Sequence, residues 1–208
     1  MVKHAAENKR LAKMLAAEKT AVLPLSPWSG ETDHGLMLRI VEGNKPAFTE
    51  LARRHMPAML SFARRYVMRS EAEDIVQEAL TRLWLKASQW QDRGSSLRSW
   101  LMRIVYNLSM DNLRRQPAQS EQAVEELTSI GHGPEQNYEQ GIKQQQLNNA
   151  MQDLPERQRS AILLTVYHAM SNREAAEILD VSVDALESLL SRGRRGLKQN
   201  ISQQRGES

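Results

Sequence analysis

The stretch SNREAAEILDVSVDALESLLSRGRRGLK, Ser171 to Lys198, decides how the rest of the chain is read. Ser171 and Glu174 stand three apart, the spacing at which a hydroxyl and a carboxylate each take an N–H group left free at a helix start. The helix they open ends near Leu179, and Ala175 and Ala176 are small enough for another helix to approach closely. Asp180 fills the turn where Gly is more usual, since Asp tolerates left-handed backbone better than most residues. Ser182 caps a second helix that turns Leu186, Leu189 and Leu190 inward. Two short helices so joined form a helix-turn-helix. Ser188, Ser191, Arg192, Arg194, Arg195 and Lys198 then lie along the second helix, its cations placed for phosphates. A generic helical hairpin is the bland alternative for this stretch alone.

Acid at the tip of that helix needs its own account. Asp184 and Glu187 repel phosphate, yet a first-turn acid gains about 0.3–1 kcal/mol from the helix dipole. Asp184 is read as serving the helix start. Glu187 lies deeper, and it can either steady the helix or accept a hydrogen bond from a cytosine amino group.

Upstream, residues 33–116 read as helix throughout. Asp33 can cap a short helix that stops at Gly43. Pro46 suits the first turn of the next, and Pro57 inside it predicts a kink or break. Ser70 and Glu73 repeat the capping-box spacing before Ile75, Val76, Ala79, Leu80, Leu83 and Trp84. Ser96 can cap a fourth helix that buries Leu97, Trp100, Leu101, Ile104, Val105 and Leu108, and Pro117 ends it. Glu71, Asp74, Glu78 and Arg82 share one face of the third helix, which suggests a solvated or docking face. The five histidines are scattered, so these carboxylates lack the companions that metal or acid–base chemistry would need. In the stretch Gln89–Gln116, Trp90 and Trp100 stand among Arg93, Arg98 and Arg103, and aromatic rings among cations suit unstacked bases. Trp100 is read as core, and the polar loop Gln91–Ser96 as the better base contact.

Composition sets the outer limits. The chain has 208 residues, 40% hydrophobic and 25% charged, and no Cys. Disulfides, Cys-ligated zinc and a Cys nucleophile are excluded. No apolar run approaches the roughly 18 residues of a membrane span, and no signal-peptide core is evident, so a cytoplasmic protein is expected. Net charge is +2 over residues 1–32, +5 over 33–116, −5 over 117–153 and +1 over 154–208. That pattern fits two modules that meet a polyanion, joined by a segment that avoids it. Residues 1–32 lack a clear apolar stripe, and the Gln/Glu-rich run that follows Pro117 reads as a linker, with helix resuming near Gln144.

Taken together, these stretches resemble the sigma-70 family of bacterial RNA polymerase specificity factors, in its small extracytoplasmic-function group. AEDIVQEALTRLW resembles the segment that docks on polymerase, WLMRIVYNLSMDNLRR the promoter −10 segment, and LPERQRSAILL with the helix-turn-helix the −35 reader. The resemblance implies an all-α fold of two small helical domains joined by a flexible linker: a region 2 bundle at 33–116, a linker at 117–149 and a region 4 helix-turn-helix at 150–200. Residues 1–32 and 201–208 form an extension and a tail. By resemblance, Asp74, Gln77, Glu78, Arg82 and Trp84 match the docking helix. Gln91, Asp92, Arg93, Ser95 and Ser96 match the loop that captures a −10 base, and Arg98, Arg103, Asn107, Arg114 and Arg115 the helix behind it. Ser182, Asp184, Glu187, Ser188, Ser191, Arg192, Arg194, Arg195 and Lys198 lie on the −35 helix. Glu187 and Leu189 depart from the family, many members of which carry a basic residue and Arg there. The implied partners are core RNA polymerase, promoter DNA and an anti-sigma factor that clamps the modules together. No cofactor, metal, enzymatic activity or membrane insertion is expected. A stand-alone helix-turn-helix regulator and a helical enzyme using the Glu71–Asp74–Glu78 face are the rival readings.

Overall fold

The computed structural model describes residue 28 and residues 30–90, 96–115 and 138–206. The loop candidates Gln91, Asp92, Arg93 and Ser95, most of the extension and most of the linker lie outside the described residues.

Four helices build the first module: α1 (Asp33–Val41), α2 (Lys45–Ala63), α3 (Arg69–Lys86) and α4 (Leu97–Arg115). Thr32, not Asp33, caps α1, its hydroxyl accepting from the Gly35 N–H at 3.1 Å. Gly43 follows at φ +81°, a conformation that costs Gly nothing, and Asn44 caps α2. Pro57 does not break α2. It is exposed, so the carbonyl it leaves without an N–H partner faces water, while Leu51, His55, Met59 and Phe62 hold the opposite face in the core. The capping box of α3 sits at Met68 and Glu71, whose carboxylate takes the Met68 N–H at 3.2 Å. Glu73, expected in that role with Ser70, is drawn instead toward Arg64 (3.8 Å) and Arg69 (3.4 Å). Ser96 caps α4 as expected, its hydroxyl accepting from the Ser99 N–H at 3.2 Å.

A buried carboxylate pins the chain ahead of α1. Glu50 accepts from Arg53 and Arg54 at 2.8–2.9 Å, and these bonds, Arg53's first, hold its pKa at about 2 against the cost of burial. Arg54 then donates to the carbonyls of Trp28 and Glu31, each at 2.6 Å, and to Asp33 at 3.1 Å.

The second module holds α5 (Tyr138–Gln152), α6 (Glu156–Ile162), α7 (Asn172–Leu179) and α8 (Val183–Gly206). Helix resumes at Tyr138, ahead of the expected Gln144. The α6 helix runs on into a π-turn at Leu163–Tyr167, and Ala169 beyond it takes φ +49°. Ser171 and Glu174 form the anticipated box, and Asp180 adopts the left-handed turn at φ +54°. Ser182 caps α8, accepting from the Ala185 N–H at 3.1 Å. Two glycines let α8 lie close on the preceding segment: a Cβ at Gly193 would meet Ile162 at 2.9 Å, and one at Gly196 would meet Leu154 at 2.8 Å.

The two modules pack on each other, and one apolar core runs through both, from Leu36 to Leu190. Tyr66, at the end of α2, meets Ser160 of α6 through a buried hydroxyl–hydroxyl bond of 2.7 Å, and burial pushes its phenol pKa up. The Phe62 ring packs on His168 at 5.7 Å.

Candidate nucleic-acid interface

The −35 candidates share a free face. Ser182, Asp184, Glu187, Ser188, Ser191, Arg192, Arg194, Arg195 and Lys198 are all exposed on or beside α8. Asp184, Ser188, Ser191, Arg195 and Lys198 recur by steps of four, three, four and three, which places them in one stripe. Behind that stripe, Leu186 and Leu190 are buried beside Ala175 and Ala176 of α7. Arg194, Arg195 and Lys198 make no ion pair among the described residues, and Arg192 bonds the Ser188 carbonyl of its own helix at 3.2 Å. Their charge is therefore available to an external anion. Glu187 reaches Asn172 of α7 at 3.4 Å, a contact across the turn that the sequence did not signal.

The −10 candidates on α4 meet the second module. Glu174 Oε1 accepts from the Ser96 hydroxyl at 3.0 Å and the Ser99 hydroxyl at 2.8 Å. The Arg98 guanidinium donates to the His168 carbonyl, and Arg103 lies 3.7 Å from Asp180. A cavity of about 280 Å³ opens beside these contacts, lined by Arg103, Asn107 and Arg114 of α4 and by Glu156, Arg157 and Asp180 of the second module. Arg114 pairs with Asp111 at 2.6 Å, and Arg115 is exposed. Ser99, Glu174, His168 and Asp180 carry this contact, and sequence reading gave none of them a role in it. They lie 70 to 78 residues from their partners, beyond the reach of local periodicity.

Charge at the junction is tuned by what surrounds it. Burial would raise the Glu174 pKa, but the Ser171 N–H and the hydroxyls of Ser99, Ser171 and Ser96 outweigh it and hold the group at about 2. Burial lowers His168 to about 4, helped by the nearby Arg98 and Arg65 cations. A neutral imidazole is thus built into the junction.

The docking candidates divide by exposure. Asp74 is exposed; Gln77, Glu78 and Arg82 are half-buried, and Arg82 pairs with Glu78 at 2.8 Å. Trp84 packs edge-on against Phe48, ring centres 5.3 Å apart, so much of its ring serves the core. Among the described residues no group of His, Asp and Glu is arranged to hold a metal, and no helix is long and apolar enough to cross a membrane.

Comparison with known proteins supplies the frame for these faces. Residues 51–118 match sigma-70 region 2, and residues 144–197 match sigma-70 region 4. The RNA polymerase sigma factor NccH of Alcaligenes xylosoxydans is 31% identical over 172 residues, covering 79% of this chain and 92% of that one. The ECF RNA polymerase sigma-E factor of Haemophilus influenzae is 26% identical over 181 residues, covering 82% and 95%. Among solved structures, the sigma factor RpoE of Bartonella quintana in complex with the anti-sigma factor NepR is similar at a TM-score of 0.58 and 25% identity, covering 74% and 96%.

Proposed function

This chain belongs to the sigma-70 family of RNA polymerase sigma factors, in its extracytoplasmic-function group, and on that premise we propose how its residues divide the work. A sigma factor joins core RNA polymerase, brings it to −35 and −10 promoter elements and promotes opening of the DNA. Here α8 enters the −35 major groove with the stripe from Asp184 to Lys198, while Arg192 and Arg194 take flanking phosphates. Its partner face, α4 with the loop before it, receives the unpaired −10 strand. Arg98, Arg103, Asn107, Arg114 and Arg115 hold the backbone there, and unpairing costs a few kcal/mol per base that pocket contacts must offset. The exposed side of α3, with Asp74, Gln77, Glu78 and Arg82, docks on polymerase.

The observation that carries this reading is the clear face of α8: nine candidate residues, all exposed, with three cations that no internal acid neutralises. The chain acts by binding, in the cytoplasm beside the polymerase, rather than by catalysis. An anti-sigma factor that holds the two modules together keeps it off, a reading supported by the relative solved with one. Run-off transcription from a promoter library with added core polymerase tests the assignment and returns the preferred sequence. A chain that binds duplex DNA tightly alone and never joins polymerase is instead a stand-alone regulator.

A further inference from the structure

The polar groups along the first turns of α4 all face acceptors from the second module. Ser96 and Ser99 meet one oxygen of Glu174, Arg98 meets the His168 carbonyl, and Arg103 meets Asp180. Glu174 divides its two oxygens. Oε2 takes the Ser171 N–H at 3.0 Å and the Ser171 hydroxyl at 2.8 Å, closing the box of its own helix. Oε1 reaches across to the serines of α4. A carboxylate bonded to two hydroxyls at a helix start, with two arginines close by, has the charge and acceptor geometry of a nucleic-acid phosphate.

We propose that α7 carries an internal surrogate for DNA: Glu174, seconded by Asp180 and the His168 carbonyl, occupies the strand-reading face of α4. The free chain therefore occludes itself, and this carboxylate must be displaced before the −10 strand can enter. The proposal rests on the assignment of α4 to that strand. Because one oxygen serves the fold and the other the contact, the latch can be weakened without unmaking the helix. Gln is accepted at the same capping position, so Glu174→Gln keeps the box while removing the charge. Ser99→Ala weakens the latch from the opposite side and leaves Ser96 to cap α4.

The chain has no Cys, so Lys45→Cys and Gln199→Cys, both exposed and one on each module, accept a dye pair specifically. Energy transfer in the full chain reports closure, and a fluorescein-labelled pool of short random single strands, used with unlabelled chain, reports access. Each variant is expected to raise the open fraction about five- to tenfold and to strengthen single-strand binding by the same factor, since apparent affinity scales with the competent fraction. Unchanged transfer in both variants overturns the latch. Transfer that falls with no gain in strand binding leaves the latch standing but overturns the assignment of α4, and with it the surrogate role.

Discussion

The two candidate DNA faces of this chain are in opposite states. On α8 the serines and cations face solvent, and three of the cations have no acidic partner among the described residues. On α4, Ser96, Arg98 and Arg103 each face an acceptor from the other module. The difference lies in what each face lacks. The α8 helix has its apolar side filled by α7, so its polar side needs nothing more. The α4 helix lies where the two modules share one core, and its donors would be left partly dehydrated unless the second module supplied acceptors. Burying polar groups without partners costs about 1–3 kcal/mol each. Closure and acceptor supply therefore come together.

The comparison can be broken at its apolar base. Phe62 is fully buried and packs on Tyr66, Tyr106 and His168, beneath the covered face. Phe62→Ala should lower stability by about 3–5 kcal/mol in denaturant unfolding and loosen the junction with it. A loss confined to a few tenths would mean that the modules do not share a core.

Acid probes the same junction more selectively. His168 titrates near 6.5 when free and near 4 in the closed chain, so the open form binds more protons between those values. Stability of the closed form must then fall as pH drops from about 6.5 to 4, by up to about 3 kcal/mol, and level off below. Glu174, held at about 2 against an ordinary 4.5, weakens closure in a separate window below about 4.5. Energy transfer followed against pH should show the first loss in the native chain and not in His168→Gln. A profile that is flat in both variants would contradict a neutral imidazole at the junction.

On the open face, effects should be smaller and tied to salt. Arg192→Ala is expected to weaken promoter binding by the polymerase complex and to reduce the salt slope by about one unit, with little change in stability. An unchanged slope would remove Arg192 from the phosphate contacts. The smallest effect belongs to Glu187. Its bond to Asn172 favours a role in steadying the turn, so Glu187→Ala should shift stability slightly and leave promoter preference as it was. A changed preference in a promoter-library selection would make it a base reader.

How much of this was legible in the sequence follows from range. The Ser171–Glu174 box, the left-handed Asp180 and the Ser182 cap are local devices, set by residues three or four apart, and they form as their spacing demands. Pro57 misled because its cost depends on whether the freed carbonyl meets water, which no local pattern states. Ser70 misled because Glu73 had arginines to pair with, one of them on the preceding segment. The faces on α4 and α8 were legible as charge at helical spacing. Their occupancy was not, because Glu174 and Asp180 are ordinary helix-end residues until the fold brings them to α4.

The most direct test of the account joins closure to function. The dye-labelled chain should show high transfer when free, lose it on joining core polymerase, and support promoter-specific run-off transcription in the same complex. High transfer retained in a complex that makes specific transcripts would contradict the claim that the covered face of α4 must open.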